Sequence, residues 1–363
     1  MDDVAIIGLR LSGKTTVFRA VTGREPPPAG PSEPHVAVVK VPDQRLDRLS
    51  ALFRPKKTTP AELRYRDFPA AGAGFGKGEG PAAAFIAELR QADGLIHVVR
   101  AFDSPAAPHP EGSIDPARDV ATLDLELTLA DLAVVERRIE RLHAEARSMR
   151  AGQRGAAERE LALFQKLVET LQAERPLRAL ALDEDELRAL SGYGLLTLKP
   201  MLLLLNIGET DVPRADALAS ELQSRLADGR EVAAFCAQLE AELAELAPEE
   251  AVEYRSSLGL PEERGLERAV HLSYRMLGRI SFFTVGDDEC RAWTVRAGVT
   301  APEAAGVIHS DLQRGFIRAE VIRWDQLLEL GGYAEARKRG LVRSEGKAYV
   351  AHDGDVLHVL FSV

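Results

Sequence analysis

Three features of the chain predict an α/β fold on a doubly wound, mainly parallel sheet. Short apolar runs alternate with helical stretches through the first third. A glycine-rich phosphate-binding pattern joins the first run to the first helix, and a small section of α+β character closes the chain. The runs at 4–7, 36–41, 63–68 and 95–99 predict strands, continuous enough to be buried on both faces. Helices are predicted between them at 14–21 and 82–90.

From 115 to 173 the composition turns rich in Leu, Ala, Glu and Arg, with Leu125, Leu129, Leu132, Val135, Ile139 and Leu142 near helical spacing. Gly152 and Gly155 break this segment, and a second helix is predicted over 156–173. Two long helices about a short break predict an antiparallel hairpin projecting from the sheet. The sheet resumes with strands at 201–205, ending at Asn206, and at 232–235, around a helix at 215–226. From about Gly278 a hairpin is predicted at 280–285 and 290–295, with a closing strand at 356–361. Thr300-Ala301-Pro302-Glu303 reads as a capping box opening a short helix.

The chain has 363 residues, enough for two or three domains at about 150 residues each. Apolar residues make up 45% and charged residues 28%, a globular composition. The net charge is −10, and residues 207–270, with 15 acidic and 6 basic side chains, hold −9 of it. No basic block marks a nucleic-acid footprint, so DNA is not an expected partner and any RNA contact must use local patches. Two cysteines, Cys236 and Cys290, fit a reducing compartment. The start, Met1-Asp2-Asp3-Val4, has no basic region before an apolar stretch. No apolar run approaches the ~20 residues that span a bilayer. The expectation is a cytoplasmic protein without membrane association.

Gly8-Leu9-Arg10-Leu11-Ser12-Gly13-Lys14-Thr15 fits G-x-x-x-x-G-K-[ST] directly after a strand and directly before a helix. Backbone N–H groups from Ser12 to Thr16, with the helix N-terminus behind them, would hold phosphates. Lys14 can reach the β- and γ-phosphates, and the Thr15 hydroxyl can ligate Mg²⁺. Asn206-Ile207-Gly208-Glu209 occupies the place of the guanine-reading N-K-x-D motif. Ile207 replaces the lysine that covers the ring, and Glu209 replaces the aspartate. The extra methylene moves the carboxylate by more than about 1 Å, enough to spoil a bidentate bond to guanine. ATP is therefore expected to bind as well as GTP or better.

Through these residues the chain resembles the YchF or Obg-like ATPase subfamily of Obg-related P-loop proteins, from Val4 to Val363. Further matching segments are Val36-Ala37-Val38-Val39-Lys40-Val41-Pro42-Asp43, Lys77-Gly78-Glu79-Gly80, His97-Val98-Val99-Arg100 and Leu196-Thr197-Leu198-Lys199-Pro200. Near the end come Phe282-Phe283-Thr284-Val285-Gly286, Arg291-Ala292-Trp293-Thr294, Ala304-Ala305-Gly306-Val307-Ile308-His309 and Gly315-Phe316-Ile317-Arg318-Ala319-Glu320, then Asp353-Gly354-Asp355. The resemblance implies a discontinuous G domain (1–117 and 197–277), an inserted helical domain (118–196) and a C-terminal ubiquitin-like TGS domain (278–363). It also implies Mg²⁺-dependent ATP binding with slow hydrolysis, a ribosome or ribosomal subunit as partner, and a monomer. Leu11, Ser12, Gly13, Lys14, Thr15, Thr16, Asn206, Ile207, Glu209, Cys236 and Ala237 are the nucleotide candidates. Lys14 and Asp67 are the catalytic pair, and Thr15 and Asp67 the metal pair.

Departures from the family pattern bear on turnover. The second switch, D-I-A-G in relatives, reads Asp67-Phe68-Pro69-Ala70. Asp67 is kept, while Ala70 lacks glycine's access to positive φ and Pro69 stiffens the approach. Ala71 stands where Ras-like proteins carry a water-orienting glutamine, which the family also lacks. The first-switch threonine falls near Pro31, with Ser32 beside it. Cys236-Ala237 replaces the usual S-A base contact. A nucleotide-stabilised adaptor with little hydrolysis and a GTPase are the alternative readings. His97 and His309 read as structural. The clusters Arg337-Lys338-Arg339 with Arg343, and Arg54-Lys56-Lys57, read as solvated faces, with phosphate contact the alternative.

Overall fold

The opening apolar run forms a strand whose residues Val4 to Ile7 are shielded from water, because β-branched and apolar side chains fill both faces of a covered sheet. The structure, a computed structural model, describes residues 1–23, 34–68, 81–148, 154–226, 228–260 and 265–362. In chain order the first elements are β1 (Asp2–Ile7), α1 (Lys14–Thr22), β2 (His35–Lys40), α2 (Gln44–Phe53), β3 (Lys57–Thr59), β4 (Glu62–Asp67), α3 (Pro81–Leu89) and β5 (Gly94–Ala101). Then follow α4 (Pro116–Ser148), α5 (Arg154–Gln172), α6 (Glu184–Leu190), β6 (Met201–Ile207), α7 (Ala215–Leu226), β7 (Glu231–Phe235), α8 (Ala237–Leu243), α9 (Pro248–Ser257) and α10 (Gly265–Met276). The last are β8 (Arg279–Thr284), β9 (Glu289–Arg296), α11 (Ala301–Ile308), α12 (Ser310–Arg314), β10 (Phe316–Arg323), α13 (Trp324–Glu329), α14 (Tyr333–Lys338), β11 (Arg343–Glu345) and β12 (Asp355–Phe361).

One unit comprises Asp2–Ala37 and Arg64–Leu266. Its sheet has the order β2-β4-β1-β5-β6-β7, and the pairs β1–β5, β5–β6 and β6–β7 are parallel. Helices α3, α4, α7 and α8 join β1, β5, β6 and β7 in one apolar core containing Ile7, Leu89, Val99, Leu123, Leu203 and Leu222. At β2 the expectation of burial on both faces fails. Val36 and Val38 are 45% and 51% exposed, because β2 is the edge strand.

The inserted helices divide their packing. Val120, Leu123, Leu127 and Ala130 on α4 belong to the sheet core. Further along, Val135 packs with Leu163, Phe164, Leu167 and Leu171 of α5, and Arg138 grips Glu160 with two bonds of 2.8 and 2.9 Å. Leu125 and Leu129, at helical spacing with the others, are exposed. Leucines occupy both sides of this helix, so spacing alone does not choose the inner face. The second helix starts at Arg154, so Gly155 lies inside it, and Gly152 is outside the described residues.

Asp131 ties α4 to the lead-in of β6. Its carboxylate, fully buried, accepts from the Leu196 and Thr197 backbone N–H groups, the Thr197 hydroxyl and Arg90, at 2.7 to 2.9 Å.

The other unit comprises Met1, Val38–Leu63 and Glu267–Val363. Its sheet runs β11-β10-β12-β8-β9-β3, with antiparallel pairs β8–β9, β10–β12 and β10–β11. Phe282, Val295, Ala305, Phe316, Val321 and Leu357 form its core. Before α11, Glu303 accepts from both the Thr300 N–H and hydroxyl at 2.7 Å, and Pro302 stands in the first turn. Strand β3 comes from far upstream and pairs in parallel with β9, where Thr59 Oγ1 donates to Glu289 at 2.6 Å. Three residues carry no readable periodicity, so this strand has no sequence signal.

Candidate functional site: a phosphate-binding loop

The loop between β1 and α1 lies at the carboxyl end of the parallel strands, where ligands of open α/β sheets bind. Gly8 is required by space. A Cβ there would come within 2.5 Å of the Val98 carbonyl and 2.9 Å of Ser12 Oγ. Gly13 has φ +85°, and a Cβ on it would fall onto the Asn206 amide. Between them Leu11 takes a left-handed conformation, φ +62°, which curls the loop.

Lys14 turns back across the loop, donating to the carbonyls of Gly8 and Leu9 at 3.1 Å each. Burial lowers its ammonium from 10.5 to about 8, and the nearby Asp67 carboxylate opposes that shift. Thr15 Oγ1 donates to Asp67 Oδ2 at 2.8 Å. Burial raises the Asp67 carboxyl above its ordinary value, while the Thr15 hydrogen bond and the Lys14 charge hold it down. Asp67 Oδ1 and Ser12 Oγ are buried with no hydrogen-bond partner among the described residues. A hydroxyl and a carboxylate with an uncommitted oxygen are the hard oxygen donors that suit Mg²⁺.

Asn206 clasps two parts of the site. Its amide Nδ2 donates to the Ser12 carbonyl and its Oδ1 accepts from the Ala237 N–H, both at 3.1 Å. The Ala237 N–H is thus engaged by Asn206. Ile207 is 1% exposed and packs in the apolar core, so it does not cover a ring as a lysine stem would. Glu209 is exposed at the start of the turn that follows β6. Cys236 caps α8 and is buried; burial raises its thiol, and the Glu209 charge adds to the effect.

Sequence reasoning missed Phe102. Its ring lies 3.7 Å from where a Gly13 Cβ would stand, and its Cβ 3.8 Å from where a Gly208 Cβ would stand. It therefore lines the gap between the phosphate loop and the Asn206-Ile207-Gly208-Glu209 segment. The one signal for it was position, just past the end of a central parallel strand.

Thr16 lies in the first turn of α1, half-buried. Pro31, Ser32, Pro69, Ala70 and Ala71 lie outside the described residues, as does the 77–80 segment. His97 is fully buried, and its ring nitrogens have no partner among the described residues. Burial, with Arg230, Lys14 and Arg178 nearby, holds its pKa well below the usual value, so it is a neutral packed side chain. His309 caps α12 by accepting from the Asp311 N–H. Arg337 pairs with Glu320, Arg339 with Glu335 and Lys56 with Asp288, as locally neutralised surface charges do.

Residues 279–362 match the model of the YchF GTPase C-terminal family, described as "Protein of unknown function (DUF933)". Over 362 residues, 99% of this chain and 98% of the relative, the chain is 42% identical to the "Ribosome-binding ATPase YchF" of Haemophilus ducreyi. It is 40% identical to the protein of the same name from Bacillus subtilis, over 99% and 98% of the two chains. Among solved structures, the Schizosaccharomyces pombe YchF GTPase superposes with a TM-score of 0.84 at 30% identity, covering 99% of this chain and 97% of that one. Likeness of this depth from end to end makes the chain a member of the YchF family of P-loop proteins.

Proposed function

We propose that the chain binds ATP with Mg²⁺ at the 8–15 loop, hydrolyses it slowly and works in association with the ribosome. The observation that carries the chemistry is the convergence of Lys14, Thr15 and Asp67 on one loop, in a chain so similar to ribosome-binding ATPases. Lys14 is the group to counter phosphate charge once a triphosphate draws it from the Gly8 and Leu9 carbonyls. The Thr15 hydroxyl and the Asp67 carboxylate would hold Mg²⁺, which when bound neutralises charge on the β- and γ-phosphates. Asn206 fixes the loop to the start of α8, and Phe102 with Glu209 borders the base. Hydrolysis rests on positioning and electrostatics rather than on a side-chain base supplied by the switch, which favours a slow rate.

In the same reading the nucleotide domain comprises 1–117 and 197–277, the helical insert 118–196 and the TGS domain 278–363, in a cytoplasmic monomer. The named relatives support the ribosome as partner. Single-turnover hydrolysis of ATP with Mg²⁺ tests the enzymatic part. The expected result is a slow release of phosphate that Lys14→Ala abolishes; a rate equal to that of the variant would leave only a nucleotide-binding adaptor.

A further inference from the structure

Arg100, on β5, is 1% exposed, yet among the described residues its partners are carbonyl oxygens rather than a carboxylate. One guanidinium nitrogen donates to Ala107 O at 2.6 Å, Nε to Phe102 O at 3.1 Å, and the third to Leu11 O at 3.3 Å. The guanidinium carbon also lies 4.5 Å from the centre of the Phe102 ring. A planar fork of donors can reach three diverging acceptors; a lysine ammonium cannot span them in the same way.

The consequence is seen in the phosphate loop. Lys14 holds the carbonyls of Gly8 and Leu9, Arg100 that of Leu11, and Asn206 that of Ser12. In a trans peptide the C=O and the following N–H point in opposite directions. Drawing the Leu11 oxygen toward β5 turns the Ser12 N–H the other way, where its contact with Leu9 O is a long 3.4 Å and is readily exchanged for an anion. Leu11 itself is held in a conformation that costs an L residue free energy, so something must secure it. Arg100 also leaves a buried cation beneath the loop with no carboxylate bound to it among the described residues, a situation that favours arrival of a polyanion.

We infer that Arg100 is a positioning residue for the triphosphate: it fixes the Leu11 peptide so that the loop presents N–H groups to phosphate, and it acts on the phosphate end of the nucleotide, not on the base. The inference rests on the nucleotide-binding reading above.

Calorimetric titration of the full chain with Mg·ATP and Mg·GTP tests it, using wild type, Arg100→Met and Arg100→Lys, alongside kcat at saturation and denaturation midpoints. Loss of a charged hydrogen bond should weaken binding about tenfold or more in Arg100→Met. ATP and GTP should weaken by the same factor, and kcat at saturation should fall as well, because hydrolysis relies on the same positioned N–H groups. Arg100→Lys keeps the charge without the fork and should weaken both by about threefold or more, which decides the matter if Arg100→Met does not fold. A lowered midpoint with unchanged affinity would make Arg100 merely structural and overturn the inference. Unequal loss for the two nucleotides would overturn it as well, since it would place the effect at the base through Phe102. Failure of wild type to bind either nucleotide would instead refute the reading on which the inference stands.

Discussion

Lys14 is buried in the loop, and its ammonium is lowered to about 8 because burial disfavours the charge. A bound polyanion favours the protonated form, so binding raises that pKa. Above about pH 8 binding must therefore take up a proton, and affinity falls as pH rises through this value. At pH 6.5 the group is already charged and contributes no uptake. Calorimetry of ATP binding in two buffers of different ionisation enthalpy should show proton uptake at pH 8.5 and none from this source at pH 6.5. Equal uptake at both values would contradict the assignment. The residues of this site differ in how far the sequence exposes them. Gly8 to Thr15 are contiguous and their spacing is the mechanism, so they are legible. Arg100 and Phe102 act through what they approach in space, and nothing in their spacing marks them. Ile207, a nucleotide candidate through its place in the motif, is sent into the core by strand alternation.

At the scale of elements, Asp131 is the joint that sets β6, and with it Asn206, against α4. Removing this buried carboxylate strands the Leu196 and Thr197 N–H groups and the Thr197 hydroxyl, and leaves Arg90 only the Gly194 and Ala130 carbonyls. Asp131→Ala should lower stability by about 3–5 kcal/mol, read as a fall in the urea midpoint without change in the slope. A midpoint within experimental scatter of wild type would mean that the joint carries no such role. The central strands were legible because four- to seven-residue apolar runs have few other uses in a covered sheet. Long α4 was legible as a helix and illegible as to its inner face, since the contrast between its sides is weak. The sheet order depends on pairings such as Val4 with Gly94 and Leu95 with Met201, and the arrival of β3 beside β9 on the still more distant pairing of Lys57 with Glu289. Local propensity holds no information about such pairings.

For the whole molecule, the charge distribution constrains how a ribosome could be met. Residues 207–270 carry −9 of the net −10, so phosphate-rich RNA is repelled there and contact must fall on the nearly neutral remainder. Few phosphate contacts mean a shallow salt dependence. The full chain should therefore pellet with ribosomes and lose little of that binding between about 50 and 200 mM salt, where a contact built on 6–10 phosphates would fall roughly 10³-fold or more. A chain that stays in the supernatant at every salt concentration would remove the ribosome as partner. Truncation at Gly278 is a poor substitute for this test, because α2 and β3 would lose β9, on which they pack. We propose that the first loop holds a nucleoside triphosphate without the guanine selectivity of an aspartate. Parallel calorimetric titrations of the purified chain with ATP and with GTP, Mg²⁺ present, address it most directly. The expected result is saturable binding of both, with ATP at least as tight as GTP; binding of neither, or a clear preference for GTP, would contradict it.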